Sequence, residues 1–205
     1  MAKKRQAYHH GDLREALIRA ADEIIAEEGI EAFSLRTAAR RAGVSPAAPA
    51  HHFGNARGLL TEVAILAWKR ADDYITQAGH LKDAVAEVRA VSLAYIRFAL
   101  AHPGHFRLML RNDLVDRSDA RLAAVSKAPG IQLRRALLRY KGKSDRDADG
   151  FDVDADMLCG LATLHGLAHL VLEDKAMHFF QQASPKNFVT QYLPRVVGHL
   201  YPKLG

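Results

Sequence analysis

The sequence predicts an all-α protein, and its length allows either one large domain or one small domain plus a larger one. Apolar residues recur at the three- and four-residue spacing of helices along most of the chain, and alternating runs of Val, Ile and Thr are absent. Gly, Pro and Ser clusters divide the chain into about nine helical segments. The 205 residues, 49% of them hydrophobic, are enough to bury a core.

The N-terminal region begins with two helices. Asp12 and Glu15 have the spacing of a capping box, which starts the first helix. Gly29 suits its C-terminal end, and Ser34 is placed to cap a second helix that ends near Arg41. The apolar face of the first helix consists of Leu13, Ala16, Leu17, Ala20, Ile24 and Ile25.

A glycine turn and a very short helix follow. Gly43 makes the turn, and Ser45 is expected to cap the third helix with Pro46 at its first position, where a missing N–H costs nothing. A fourth helix is predicted at 58–77. The order of helix, glycine turn and short helix is typical of a helix-turn-helix motif.

The rest of the chain predicts longer helices, near 81–101, from Pro103 onward, near 118–141, near 153–174 and near 185–201. Pro194 lies inside the last of them and is expected to kink it. Breaks are expected at Gly79, Pro103-Gly104, Pro129-Gly130, the polar loop 142–152 and Ser184-Pro185.

Charge and cysteine content indicate the environment of the protein. The net charge is +6, divided evenly before and after residue 70, so it favours an anionic partner without locating a binding face. Cys159 is the one cysteine, which excludes an intrachain disulfide and favours the cytoplasm.

Residues 1–13 are basic without the apolar segment of a signal peptide. The longest apolar run, 158–172, is shorter than the ~20 residues of a membrane span.

The third helix, in the stretch "SPAAPAHHF" at 45–53, consists mostly of residues with small side chains. A recognition helix enters a major groove about 12 Å wide, and small side chains allow close approach. Ala47 and Ala48 would meet thymine methyl groups, Ser45 a phosphate or base, and His51 a base edge. Alternatively, the small residues allow two helices to pack closely with no ligand.

Residues 12–60 resemble the DNA-binding domain of the TetR/AcrR family of transcriptional repressors. The resemblance lies in "ALIRAADEIIAEEGIEAFSLRTAARRAGVS" and "HHFGNARGLL". It implies a DNA-binding domain at 1–57 and an effector-binding and dimerisation domain at 58–205. Two positions depart from the family pattern: Ala50 replaces a Tyr and Ala56 replaces a Lys, with Arg57 beside it.

The resemblance also implies roles for individual residues on double-stranded DNA. Phosphates would be held by Ser34, Arg36, Thr37, His52 and Arg57, and bases would be faced by Ala47, Ala48 and His51. Lys3, Lys4 and Arg5 are interpreted either as an arm that reaches the DNA or as a solvated basic tail.

The C-terminal part resembles a family subtype through "SLAYIRFALAHPGHFRLML" and "LATLHGLAHLVLE". The subtype has a His-Gly helix in a domain that binds a small molecule and dimerises. Candidate pocket residues are Tyr95, Phe98, Phe106, Met109, Leu161, His165 and His169; the alternative is that they form plain core. Candidate dimer residues, with the same alternative, are Leu158, Leu161, Leu172, Phe188, Tyr192, Val196 and Leu200.

Two features allow metal chemistry as an alternative, although a solvated acidic loop with a helix-capping Asp and a pair of partly buried histidines explain them without a metal. Residues 145–156 begin like a calcium loop, although Asp156 is shorter than the usual bidentate Glu. His165 and His169 lie one helical turn apart, with His102 or His105 as a further ligand. We find no phosphate-binding glycine loop, nucleophile elbow or carboxylate pair.

The sequence therefore predicts a dimeric transcriptional regulator without enzyme activity or cofactor, a repressor released by a small molecule. A metal-binding all-α enzyme or sensor, and a helical scaffold with a vestigial motif, are the alternatives.

Overall fold

The protein is described by a computed structural model, which covers residues 10–144, 150–175 and 187–203. The basic arm predicted at residues 3–5 lies outside these ranges. In the described part of the chain all regular elements are helices, which confirms the predicted fold class. They are α1 (His10–Glu28), a 3₁₀ turn (Ile30–Ala32), α2 (Leu35–Arg41), α3 (Ala48–Phe53), α4 (Ala56–Gln77), α5 (Ala84–Ala101), α6 (Pro103–Met109), α7 (Ala120–Val125), α8 (Ala128–Tyr140), α9 (Gly150–Leu172), a π-helical turn (Phe188–Tyr192) and α10 (Leu193–Leu200).

The backbone forms two compact units, each with its own core. Of the described residues, the first comprises those up to Ala67 together with Pro103–Ala123, and the second comprises Trp68–His102 together with those from Ala124 onward. The helices α4 and α7 each run from one unit into the other. The predicted domain boundary at residue 57 stays a prediction.

The first unit is built around α1, which packs against α2, α3 and α6. The predicted apolar face of α1 supplies fully buried residues such as Leu17, Ile24 and Ile25. Gly104 lets α6 approach α1 closely, since a Cβ at this position would overlap the carbonyl oxygen of Ile25. The buried His105 of α6 then lies 2.9 Å from the Asp22 carboxylate of α1, measured from its Nε2.

The second unit is centred on α5, which packs against α8, α9 and α10. Its core contains the completely buried residues Val88, Ile96 and Phe98. The guanidinium of Arg89 donates hydrogen bonds to the Tyr201 carbonyl at 2.7 and 2.9 Å. Because the last carbonyls of a helix have no intrahelical donor, this arginine satisfies the C-terminal end of α10.

Three prolines lie in the first turn of a helix, and two of them correct a predicted helix start. The segment predicted at 118–141 is two helices, and Pro129 lies in the first turn of α8 instead of marking a break. Pro194 is the second residue of α10, which continues directly from the π-helical turn, so its predicted position inside the last helical segment is confirmed and the kink stays a prediction. Pro49 lies in the first turn of α3. A proline is tolerated in the first turn because its missing N–H has no intrahelical partner there.

Candidate nucleic-acid interface and ligand cavity

The start of α2 is fixed by two residues that cap it reciprocally, and both of them are predicted to contact DNA phosphates. The Thr37 amide donates to Ser34 Oγ at 3.0 Å, and the Ser34 amide donates to Thr37 Oγ1 at 2.8 Å. The predicted cap at Ser34 is therefore confirmed, with Thr37 in the place of the usual Glu or Gln. Arg36 lies between them in sequence and is exposed.

The turn between α2 and α3 is closed by backbone hydrogen bonds. Gly43 has a φ of 68°, a left-handed conformation that favours glycine. The Gly43 amide donates to the Arg40 carbonyl at 3.2 Å and the Val44 amide to the Ala39 carbonyl at 3.0 Å. This is the hydrogen-bond pattern of a Schellman motif, so the predicted glycine turn is confirmed.

The third helix begins later than the sequence indicates. Pro46 lies in a turn in which the Ala48 amide donates to the Ser45 carbonyl at 3.0 Å, and the side chain of Ser45 does not cap α3. The prediction of a Ser45 cap with Pro46 at the first helical position is therefore wrong. The turn satisfies the Ala48 amide through the backbone, so no side-chain cap forms there.

One face of this region remains accessible. Ser45, Ala47 and His51 are exposed, and Ala48 and His52 are half-buried. With Leu13 of α1, these five residues line one shallow surface groove. Pro49 instead is buried, so α3 presents its small residues outward while the proline anchors the helix to the unit.

The junction of α3 and α4 is tight. Gly54 has a φ of 74°, and the Gly58 amide donates to Asn55 Oδ1 at 3.2 Å, which caps α4. A Cβ on Gly58 would overlap the carbonyl oxygen of Phe53. The Arg14 guanidinium lies 5.3 Å from the centre of the Phe53 ring, within cation–π range. The position of α3 is therefore set by α1 and α4.

Arg57, the predicted substitute for the family lysine, is exposed and hydrogen-bonded. Its Nη2 donates to the Asp113 carbonyl at 3.1 Å. Arg111 pairs with the Asp113 carboxylate at 2.8 Å, which lowers the pKa of Asp113 to about 2. The guanidinium of Arg57 therefore rests on the segment that follows α6. Ala50 and Ala56, the two departures from the family pattern, are both exposed.

The second unit contains a cavity of about 160 Å³. It lies between the C-terminal half of α4, α5, α8 and α9. Three of the predicted pocket residues, Tyr95, Leu161 and His165, line it. The remaining lining residues were not predicted from the sequence; they are Trp68, Ile75, Val91, Ser126, Pro129, Gly130, Leu133 and Leu164.

Tyr95 and His165 form the main polar feature of the cavity wall. His165 Nδ1 lies 3.0 Å from the Leu161 carbonyl, which can only accept, so Nδ1 carries the proton. His165 Nε2, 2.9 Å from the Tyr95 hydroxyl, then accepts from it. Burial lowers the pKa of His165 and raises the pKa of Tyr95, so both side chains are neutral near pH 7.

The other four predicted pocket residues lie elsewhere. Phe98 is completely buried in the second unit, where its ring packs against Tyr74 at 5.7 Å. Phe106 and Met109 are buried in the first unit. His169 is exposed on α9. All four were predicted because they lie in the two stretches that resemble the family's ligand-binding domain, and such a resemblance does not distinguish a filled core from a cavity wall.

The metal-binding alternative gains no support from the described residues. Within them, no group of three or more His, Cys, Asp or Glu side chains is close enough to hold a metal ion. Residues 145–149 of the proposed calcium loop lie outside this part of the chain. Asp156, the last position of that loop, pairs with Lys141 at 2.8 Å.

Helix α9 exposes an apolar face. Leu158 is 69% exposed and Leu170 is 39% exposed, and the small residues Ala162 and Gly166 lie exposed between them. By length and composition alone, Asp154–Leu172 is apolar enough to cross a membrane, and only 17% of it is buried. It is the one such helix in the described part of the chain. An exposed apolar face of this kind is typical of a surface that contacts another apolar surface.

Comparison with known proteins identifies the class. Residues 17–63 match the model of bacterial regulatory proteins of the tetR family, and residues 88–191 match the tetracyclin repressor-like C-terminal domain. The helix-turn-helix unit and the separate helical domain thus define a DNA-binding regulator of transcription. The chain belongs to the TetR family. The subtype with a His-Gly helix stays a prediction.

Solved structures share the fold over almost the whole chain. A protein of unknown function from Rhodococcus sp. RHA1 is 29% identical, with a TM-score of 0.72, covering 96% of this chain and 100% of its own. The TetR family regulator PfmR from Thermus thermophilus is 22% identical, with a TM-score of 0.64 and coverages of 94% and 97%. The fatty acid degradation regulator FadR from Bacillus halodurans is 17% identical, with a TM-score of 0.61 and coverages of 95% and 96%. Among curated proteins, no sequence matches the chain.

Proposed function

We propose that the protein is a homodimeric repressor that binds a pseudo-palindromic operator and is released from it by a small molecule. Residues 1–57 bind DNA in this proposal, and residues 58–205 bind the effector and form the dimer. The observation that carries the proposal is the exposed face formed by Ser45, Ala47 and His51, on which most side chains are small. We place its activity in the cytoplasm, with the DNA.

The exposed residues support a division between base and phosphate contacts. Small side chains at Ala47 and Ala48 allow the backbone to approach the bases, and His51 has the length to reach a base edge. His52 and the exposed Arg36 supply phosphate contacts, as do the capping residues Ser34 and Thr37. Phosphate contacts orient the protein, whereas base contacts select the sequence.

Arg57 reaches a phosphate only by leaving the Asp113 carbonyl, to which it donates at 3.1 Å. The exchange is feasible because the side chain is exposed and a phosphate is a stronger, charged acceptor than a carbonyl. Arg57 then takes the role of the family lysine, which is replaced by Ala56 in this chain.

The apolar face of α9 supports the dimer. Leu158 and Leu170 are large apolar residues whose exposure disfavours a monomer, and the small residues between them permit close helix packing. A two-fold dimer would set two recognition helices about 34–36 Å apart, one turn of DNA. Of the other predicted dimer residues, Leu161 lines the cavity and Phe188 is buried within the unit, so these two belong to the monomer.

The cavity gives a physical route from effector to DNA. Trp68 and Ile75 in its wall belong to α4, and this same helix begins at Ala56 beside α3. Leu161 and His165 belong to α9, which carries the proposed dimer face. A ligand that prefers one arrangement of these two helices shifts the population toward it and changes the spacing of the recognition helices.

Selection of duplexes from a random pool tests the proposal. The full chain should enrich two inverted half-sites whose centres are separated by one helical turn or a multiple of it. Enrichment of a single unrepeated site would contradict the dimer, and absence of any enriched duplex at physiological salt would contradict operator binding. A variant with Ser45 and His51 both replaced by Ala is the control, since it should bind without selecting the same sequence.

A further inference from the structure

We propose that the effector is a compact, uncharged and mainly apolar molecule whose single hydrogen-bonding group is held by the Tyr95–His165 pair. This inference rests on the proposed function, because it assumes that the cavity of the second unit is the effector site. It adds the size, the charge and the polar contact of the ligand.

The volume limits the size of the ligand. The cavity measures about 160 Å³. An engineered protein cavity of roughly 150 Å³ accommodates benzene. A ligand that fills the present cavity therefore has about six to ten non-hydrogen atoms, the size of one substituted ring. The rings of Trp68 and Tyr95 in the wall suit a ring-shaped occupant.

The wall excludes charge. Among the described residues that line the cavity there is no Lys, Arg, Asp or Glu. Its two titratable groups, Tyr95 and His165, are both held in their neutral forms by burial. An ion that enters loses its hydration and finds no opposite charge, which costs several kcal/mol in a protein interior. A neutral molecule of the same shape avoids this cost.

The polar pair supplies one directional contact. The Tyr95 oxygen lies 2.9 Å from His165 Nε2, and a phenolic hydroxyl both donates and accepts hydrogen bonds. A ligand hydroxyl near this oxygen therefore shares in the hydrogen bonding of the pair. An entirely apolar ligand would fill the same space without that contact.

The chain contains a matched control for this pair. Tyr74 and His102 form a second hydrogen-bonded Tyr–His pair in the same unit, with Oη and Nε2 3.3 Å apart. Neither residue lines the cavity. A Tyr74→Phe substitution thus removes the same hydroxyl from the same kind of pair without changing the ligand site.

The fluorescence of Trp68 measures occupancy directly. It is the only tryptophan of the chain and lines the cavity. Four probes of similar shape would be titrated into the full protein without DNA: benzyl alcohol, toluene, benzoate and benzylammonium. Excitation at the red edge of tryptophan absorption avoids absorption by the probes. The same titrations would be repeated with Tyr95→Phe and Tyr74→Phe.

The expected result is that benzyl alcohol binds at least about a hundredfold more tightly than either ion, because of the uncompensated charge. Tyr95→Phe should reduce the preference for benzyl alcohol over toluene roughly fivefold, the effect of one neutral hydrogen bond. Tyr74→Phe should leave that preference unchanged.

Ions that bind within tenfold of benzyl alcohol would overturn the inference. Absence of any fluorescence change with benzyl alcohol and toluene up to their solubility would overturn it as well. If Tyr95→Phe does not fold, the ranking of the four probes on the natural protein still decides the charge and size of the ligand. Because DNA is absent, failure here leaves the duplex selection as a separate test of operator binding.

Discussion

Replacement of Gly58 by Ala tests whether the close contact between α3 and α4 sets the position of the recognition helix. A Cβ at this position would overlap the Phe53 carbonyl oxygen and lie 3.1 Å from its carbon, so the C-terminal end of α3 must move. Overpacking of this kind costs about 1–3 kcal/mol. In an uncrowded helix the same replacement gains up to about 1 kcal/mol.

Gly198→Ala is the matched control, since the nearest atom to its Cβ would be Arg89 Cζ at an ordinary 4.0 Å. Guanidinium denaturation followed by circular dichroism should show Gly58→Ala destabilised and Gly198→Ala unchanged or stabilised. Because binding groups must be held to within about 0.5 Å, Gly58→Ala should also lose at least roughly tenfold in operator affinity. Equal stability of the two variants together with unchanged affinity would refute the reasoning.

Three further predictions follow from the interface, the helix face and the cavity. Arg57→Ala should weaken binding to all duplexes and reduce the salt slope by about one, whereas His51→Ala should reduce discrimination between operators; both are measured by anisotropy titrations over a salt series. An unchanged slope would show that Arg57 stays on the Asp113 carbonyl. Leu158→Glu should convert the proposed dimer to monomer in analytical ultracentrifugation, and a persistent dimer would rule out an α9 interface. Folding stability should decline as pH falls below the ordinary histidine pKa of 6.5, because the lowered pKa of His165 makes the unfolded chain take up its proton first. Denaturation at a series of pH values should show a shallower decline for His165→Gln, and identical profiles would contradict this assignment.

Local features of the candidate interface could be read from the sequence because they depend on neighbouring residues. Ser34 caps α2 through a residue three positions away, and Gly43 closes the turn with amides and carbonyls of the same segment. The start of α3 was misplaced for a related reason. Both Pro46 and Pro49 suit a first helical turn, so local preference does not decide which of them begins α3. The burial of Pro49 against the rest of the unit decides in favour of Pro49.

The cavity could be predicted only in part. Tyr95, Leu161 and His165 were predicted because they lie in the two stretches that resemble the family's ligand-binding domain, and all three line the cavity. Phe98 lies in the same stretch as Tyr95 but fills the core, and Trp68 was missed because its helix lies outside both of these stretches. Whether an inward-facing residue meets another side chain or empty space depends on all the helices packed around it.

The sequence by itself determined the all-helical fold class, the glycine turn, the cap of α2 and the family, since each depends on residue types at short fixed spacings. Tertiary structure alone decided that Arg57 rests on a carbonyl 56 residues away and that Tyr95 meets a histidine 70 residues away. It also decided that Gly58 must lack a side chain beside Phe53. Spacing along a helix fixes which residues share a face, but the partner of that face is chosen by the packing of segments distant in sequence.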